Sequence, residues 1–359
     1  QAAVHTAIVV ALISGVFVMI FGQLIAKPVL TLMGTPDDVI DLAVQYLRIY
    51  LLGMPFIMLY DFGSSILRSI GDSKRPLYSL IAAGIINTGL NLLLVIVFQM
   101  SVAGVAIATV ISNLTSASIV MYILMHETSV IRIDRKQLKI VPKELKKILV
   151  IGIPAGLQGM MFSIANVCIQ STINSFGSSA VAGSAAALNY EFFAYFLVNA
   201  FAQAAVTFTS QNYGAGEEKR IHKVLFICQG LVISVGLIFG VGAWLAGDTL
   251  LSIYSSDPNV IQFGKDRMAV ICTAYFLCGI MDTMVGALRG VGYSLMPMIV
   301  SLIGACGLRI VWIFTAFQIH RSLWMLYISY PITWIITGGV HILCYILVRR
   351  KQLQTVKNR

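Results

Sequence analysis

The chain has 359 residues, 58% of them hydrophobic and only 11% charged, with a mean hydropathy of +0.86. A water-soluble domain carries about 25% charged residues, so a soluble fold is excluded. The net charge of +10 does not mark a nucleic-acid partner, because the basic residues fall at the ends of apolar runs rather than on one patch.

Apolar runs of about 20 residues are each long enough to cross a bilayer as a helix. They predict ten spanning helices near 4–26, 43–70, 77–98, 102–125, 148–175, 180–210, 224–246, 264–290, 295–318 and 323–348. Turn chemistry separates them at Lys27-Pro28, at Gly34-Thr35-Pro36-Asp37, where Asp37 can cap the next helix, and at Ser256-Asp257-Pro258-Asn259. The longest polar stretch, 126–147, sets Arg132, Arg135, Lys136, Lys139, Lys143, Lys146 and Lys147 against Glu127, Asp134 and Glu144. It reads as a linker between residues 1–125, with four helices, and residues 148–348, with six, followed by a basic tail at 349–359.

Positive charge collects on alternate connections: Lys74 and Arg75, the linker, Lys219, Arg220 and Lys223, and Arg349, Arg350, Lys351, Lys357 and Arg359 in the tail. That side is expected to be cytoplasmic, which places both ends of the chain inside. The six cysteines all lie in apolar runs without metal-ligand spacing, and they read as small buried side chains.

A phrase recurs 221 positions apart. Leu67-Arg68-x-x-Gly71-x-Ser73-x-x-Pro76 returns as Leu288-Arg289-x-x-Gly292-x-Ser294-x-x-Pro297, and at the same offset Val39-Ile40 meets Val260-Ile261 and Asp61 meets Asp282. A duplicated block of membrane helices is a mark of transporters. The partners of the helices 148–175 and 180–210 would precede Gln1, so the repeat predicts a parent of twelve helices, ten of them here. An even number per half predicts a parallel repeat about an axis along the membrane normal. The expected fold is therefore an all-α polytopic membrane protein of two bundles.

Acids inside apolar helices carry the strongest local signal, since a charge at the bilayer centre costs about 2.5–3.5 kcal/mol. They are Asp61, Glu191 and Asp282. Asp61 and Asp282 each have an arginine seven residues on, Arg68 and Arg289, so cation binding and structural pairing both remain open for them. Glu191 has no base nearby in sequence, which favours an ion-binding role. Arg309 stands midway along a run, and pairing with one of the acids is expected of it. Gln158, Asn166, Gln170 and Asn174 share one helical stripe, Asn199 and Gln203 share a face on the next helix, and Asn87 and Asn91 are four apart. A wet cavity wall or interhelical hydrogen bonding explains such stripes. Gly152/Gly156, Gly236/Gly240 and Gly286/Gly290 permit close helix contact. Pro55, Pro154 and Pro331 can bend helices. No metalloprotease or serine-hydrolase motif and no ATP-hydrolysing domain is legible, so an enzyme is not expected and transport would draw on an ion gradient.

The chain resembles the multidrug and toxic compound extrusion family. The residues that carry this are Ser210-Gln211-Asn212-Tyr213-Gly214-Ala215-Gly216, the two Leu-Arg-x-x-Gly…Pro copies, Gly152-Ile153-Pro154-Ala155-Gly156, and Val102-Ala103-Gly104-Val105-Ala106-Ile107-Ala108-Thr109. The resemblance implies two six-helix lobes around a cleft and export of amphipathic, often cationic, drugs in exchange for Na⁺ or H⁺, with no other cofactor. The family's first-helix acid would lie before Gln1. The acid that many Na⁺-coupled members carry after G-x-P-x-G is missing from Leu157-Gln158-Gly159-Met160-Met161-Phe162-Ser163.

The expectation is thus a monomeric antiporter in a bacterial plasma membrane, in contact with lipid and small amphipathic substrates. Glu191, Asp282 and Asp61 are the ion-coupling candidates. Gln158, Asn166, Gln170, Asn174, Asn199, Gln203 and Arg309 are the polar cleft candidates, with Phe192, Tyr195, Phe196 and Tyr275 as aromatic surface. A flippase for lipid-linked precursors, which calls for a strongly cationic cleft, is the second expectation. A membrane scaffold that transports nothing is the third.

Overall fold

The computed structural model describes residues 1–32 and 38–357, with side chains through Lys351. The turn cluster Gly34-Thr35-Pro36-Asp37, Arg359 and the side chain of Lys357 lie outside the described residues. By contacts the chain divides into two units, Gln1–Leu149 and Val150–Arg359.

The first unit holds α1 (Ala2–Leu32), α2 (Ile40–Leu52), α3 (Met54–Ser69), α4 (Lys74–Asn91, prolonged by a π-turn at Leu92–Val97) and α5 (Ser101–His126). The helix α6 (Pro142–Asn174) starts six residues earlier than the apolar run suggests. Its polar first two turns carry Lys143, Glu144, Lys146 and Lys147, and the two Nζ···Oε contacts of Lys147 to Glu144, both 3.1 Å, support helix there. The second unit continues with α7 (Ser178–Gly214), α8 (Glu218–Leu245), α9 (Gly247–Ser252), α10 (Pro258–Val270) and α11 (Tyr275–Gly290). Then come α12 (Leu295–Ser301), a π-turn (Leu302–Gly307), α13 (Leu308–Phe314), α14 (Ala316–Ile319), α15 (Leu323–Tyr327) and α16 (Ser329–Lys357). Among the described residues eight helices are long and apolar enough to span a membrane, or ten when α2–α3 and α10–α11 each count as one bent span. Large apolar side chains such as Leu24, Phe226 and Ile238 point outward at 71–75% exposure. Only lipid makes such a surface stable, so this is a multi-pass membrane protein.

The repeat is present in local structure. α3 and α11 have 16 residues each and start and stop 221 positions apart. Both end in the same Schellman cap. In the first, Gly71 N–H donates to Arg68 C=O and Asp72 N–H to Leu67 C=O; in the second, Gly292 donates to Arg289 and Tyr293 to Leu288. Gly71 and Gly292 take φ +87° and +92°, a region that only glycine enters without strain. One contact the repeated phrase does not announce also recurs. A Cβ on Gly15 would lie 2.6 Å from Pro55 Cα, and a Cβ on Gly236 would lie 2.9 Å from Phe276 Cα.

The two bends, 44° and 46°, have different causes. At α2–α3 the chain turns at Gly53 and α3 starts at Met54, followed by Pro55, which lacks an N–H for the ladder. At α10–α11 there is no proline, and residues 271–274 leave the α-helical register. There Gly240 of α8 lies against the break so closely that a Cβ would sit 2.0 Å from the Cys272 carbonyl oxygen. Pro331 stands in the first turn of α16, just after the interruption that separates α15 from α16 at Ile328. Lys27-Pro28 does not end α1 either; the helix carries Pro28 inside its last turns. The Gly152/Gly156 pair makes no close contact, since nothing among the described residues lies within 4 Å of a Cβ at either site.

In the first unit, Ile8, Leu67, Val120 and Leu124 form a core that Ile131 and Ile133 of the linker join. Ile133 N–H donates to Leu124 C=O at 3.0 Å, Asp134 N–H to His5 Nε2 at 3.1 Å, and Val141 N–H to Thr6 Oγ1 at 3.1 Å. Arg75 ties the loop after α3 to the linker. Its Nε donates to Asp72, and its Nη1 to Glu127 at 2.6 Å. Partial burial works to raise the Asp72 carboxyl, but hydrogen bonds from Arg75 and Lys74 outweigh it and hold it below the usual range. The Arg75 hydrogen bond lowers Glu127 in the same way.

Candidate substrate and ion site

The site in the second unit is built on one face of α7. Ala180, Gly183, Ser184, Ala187, Glu191, Ala194, Val198, Ala202, Ala205 and Thr209 recur every three or four residues and are buried. Nearly all are small, so neighbouring backbones come close. A Cβ on Gly183 would meet the Val260 carbonyl of α10 at 2.4 Å, and one on Gly286 of α11 would meet the Ala202 carbonyl at 2.5 Å.

Glu191 is the one charged member of that face, and it has a partner 76 residues away in sequence. Arg267 of α10 donates Nε to Oε1 at 2.5 Å and Nη2 to Oε2 at 2.9 Å. The two side chains are 6% and 3% exposed. No base stands near Glu191 in sequence; helix packing supplies one that sequence proximity does not show. The Arg267 guanidinium also sits 5.5 Å from the Tyr327 ring centre, and the Tyr327 hydroxyl is 2.7 Å from Ser184 Oγ.

Asp282, on α11, forms no ion pair within 4 Å among the described residues; Cys278 Sγ–H points to its Oδ2 at 3.9 Å. Arg289, two turns further on, turns to another helix, where its Nη2 donates to Gln158 Oε1 at 2.7 Å. Gln158 Nε2 in turn donates to Ser301 Oγ at 3.2 Å, and Ser301 Oγ lies 3.0 Å from His341 Nε2. Gln158, Ser301 and His341 are all buried.

Arg309 corrects an expectation, for it meets no acid. Its Nε donates to Thr333 Oγ1 at 3.2 Å, and its guanidinium carbon lies 4.0 Å from the Tyr330 ring centre and 5.7 Å from that of Trp334. The π-turn places it there. Ser301 and Arg309 are eight positions apart, about 80° around an α-helix, and one extra residue in the turn brings them to within roughly 20° of one face.

These groups surround a cavity of about 640 Å³, within the size range of small-molecule sites. Of the expected residues, Gln158, Asn166, Gln170, Asn199 and Gln203 line it, with Glu191, Asp282 and Arg309. Phe192, Tyr195 and Tyr275 supply aromatic surface. Asn174 does not line it; it stands one turn beyond and accepts from Gln170 Nε2 at 3.0 Å. Phe196 points outward. Asp61 belongs to the first unit, where it is exposed on α3 without an ion pair among the described residues, and Arg68 donates to Ser65 Oγ instead. Asn87 and Asn91 bond each other at 3.0 Å. Arg267, a basic residue inside an apolar run, also lines it, and Tyr330 and Trp334, which the sequence pattern does not single out, complete the wall. The spacing of Tyr330 and Trp334, four apart, is the one signal that could have found them. Ser210–Gly216 is the end of α7, closed by Gly216 at φ +72° and by Glu217 N–H donating to Asn212 C=O, and not a phosphate loop.

The MatE family model matches residues 1–93 and 154–315. The chain belongs to the MatE family. It is 32% identical to a probable multidrug resistance protein of Bacillus subtilis, YpnP, over 80% of this chain and 64% of that relative. The match therefore spans a little under two thirds of that relative's length. The fold matches a mutant form of the Vibrio cholerae MATE transporter VcmN with a TM-score of 0.88 at 22% identity, over 97% of this chain and 79% of that one. It also matches a MOP superfamily transporter from Pyrococcus furiosus with a TM-score of 0.91 at 18% identity, over 97% of this chain and 78% of the other.

Proposed function

We propose that the protein is a secondary antiporter that exports amphipathic organic compounds from a bacterial cell against an inward flow of Na⁺ or H⁺. The observation that carries this reading is Asp282, a carboxylate without an ion-pair partner among the described residues, on the wall of a cavity of about 640 Å³ inside a membrane bundle. A charge held there at such cost is retained when a cation or proton occupies it during the working cycle. In this reading Asp282 is the coupling acid of the second unit and Asp61, its equivalent by repeat, serves the first. Glu191, held by two hydrogen bonds from Arg267, locks α7 to α10. Gln158, Asn166, Asn199 and Gln203 keep the cavity wet, and Tyr275, Tyr195 and Phe192 offer apolar contact.

The test is efflux of a fluorescent multidrug substrate from proteoliposomes under an imposed ion gradient. Asp282→Asn is expected to abolish gradient-driven flux while leaving substrate binding in place. Undiminished driven flux in that variant would remove the assignment. A flippase for lipid-linked precursors is the second reading, and the observation that favours it is the presence of Arg267, Arg289 and Arg309 on the same cavity wall.

A further inference from the structure

The charges around the cavity do not cancel. Glu191 and Arg267 neutralise each other through two hydrogen bonds. Asp282 and Arg289 face the cavity two turns apart on α11. Arg309 is left over. It is 2% exposed, Thr333 is its one hydrogen-bond acceptor among the described residues, and its Nη2 is sealed from solvent with no partner. No carboxylate among the described residues lies within 4 Å of it. The ring faces of Tyr330 and Trp334 recover only part of what it costs to bury a guanidinium. Arg289 repeats the pattern in milder form, since its Nε is buried without an acceptor. Next to this charge stands an aromatic wall in which the ring centres of Tyr275 and Trp334 are 5.2 Å apart and those of Tyr330 and Trp334 are 5.6 Å apart.

We propose that Arg309 is an oxyanion subsite: the cavity takes an amphipathic molecule bearing a carboxylate or phosphate, with its ring or tail laid against Trp334, Tyr330 and Tyr275. A planar guanidinium fork suits a planar or tetrahedral oxyanion, and an anion there supplies the charge and the acceptors that the protein withholds. This rests on the transport reading for what the cavity is for, and it replaces the cationic substrate expected from the sequence with an acidic one. The same chemistry is offered by a free aromatic acid and by a prenyl phosphate of the membrane.

The experiment measures equilibrium binding to the full chain in lipid nanodiscs, without any ion gradient, using 2-naphthoate, 2-naphthylmethylamine and farnesyl phosphate as probes. At least one oxyanion probe is expected to bind ten-fold or more tighter than the amine. Arg309→Gln is expected to erase that preference, and Arg309→Lys, which keeps the charge and loses the fork, to keep part of it. Preference for naphthoate identifies a free aromatic anion; preference for farnesyl phosphate alone identifies a lipid headgroup. Equal or tighter binding of the amine, or oxyanion affinity unchanged in Arg309→Gln, overturns the proposal. Should Arg309→Gln fail to fold, the wild-type preference and Arg309→Lys decide alone. Gradient-driven export of cations without oxyanion preference would sink this subsite and leave the antiporter reading standing, whereas oxyanion binding without driven flux would do the reverse.

Discussion

Removing the acid from the Glu191–Arg267 pair tests whether that pair is a lock or a working site. In Glu191→Gln the Arg267 guanidinium stays buried at 3% exposure, with a neutral amide where a carboxylate accepted two hydrogen bonds. Breaking one side of such a pair costs about 3–5 kcal/mol, because the remaining charge is left without compensation. Replacing both sides with apolar groups of similar volume is close to neutral, since the desolvation of two charges disappears along with their attraction. Glu191→Gln is therefore expected to lower the melting temperature of the detergent-solubilised protein by on the order of 10 °C. The double variant Glu191→Leu/Arg267→Met is expected to recover most of the loss and to retain gradient-driven flux per folded molecule. The assay is thermal unfolding followed by size-exclusion chromatography, paired with proteoliposome flux. If the double variant melts no higher than Glu191→Gln, or folds well but loses all flux, the pair is not merely a lock and Glu191 returns to the ion path.

Three glycine substitutions separate conformation from contact. Gly292→Ala has open space for its methyl but must adopt φ +92°, so it is expected to cost about 1–2 kcal/mol, and Gly71→Ala the same. Gly286→Val, whose Cβ would fall 2.5 Å from the Ala202 carbonyl, is expected to part α7 from α11 and cost about 1–3 kcal/mol; thermal unfolding reads both classes, and no loss of stability in Gly71→Ala and Gly292→Ala would refute the shared helix cap described here. Acid should loosen the linker. Asp72 and Glu127 are held below their ordinary values by Arg75, so their contribution is complete above the unfolded carboxylate range near pH 4 and is lost as pH falls through the lowered folded values. Hydrogen exchange over 127–134 should quicken there in the wild type and show no such pH step in Arg75→Ala.

Much of the fold was legible because it is written in run length. Lipid demands about 20 apolar residues per span, and the ten runs fall on the eight long helices and two bent pairs. The matching ends of α3 and α11 were legible as well, since Gly71 and Gly292 are required by the same helix cap. What was hidden depends on contacts between helices distant in sequence. Nothing near Glu191 points to Arg267, and no periodicity shows that Arg309 would meet Tyr330 and not an acid. The π-turn at Leu302–Gly307 shifts the register of everything after it, which run length cannot register. Of the polar stripe, Gln158, Asn166 and Gln170 line the cavity and Asn174 does not, because the cavity ends before the helix does.

The most direct test of the account is whether the coupling ion and the transported molecule feel each other through Asp282. Substrate affinity would be measured in nanodiscs with and without Na⁺, and at two pH values straddling neutrality. Linkage requires that an ion driving exchange change substrate affinity, by roughly 5-fold or more for a useful coupling. Such a change is expected in the wild type and none in Asp282→Asn. The same ion-dependent change surviving in Asp282→Asn would contradict it.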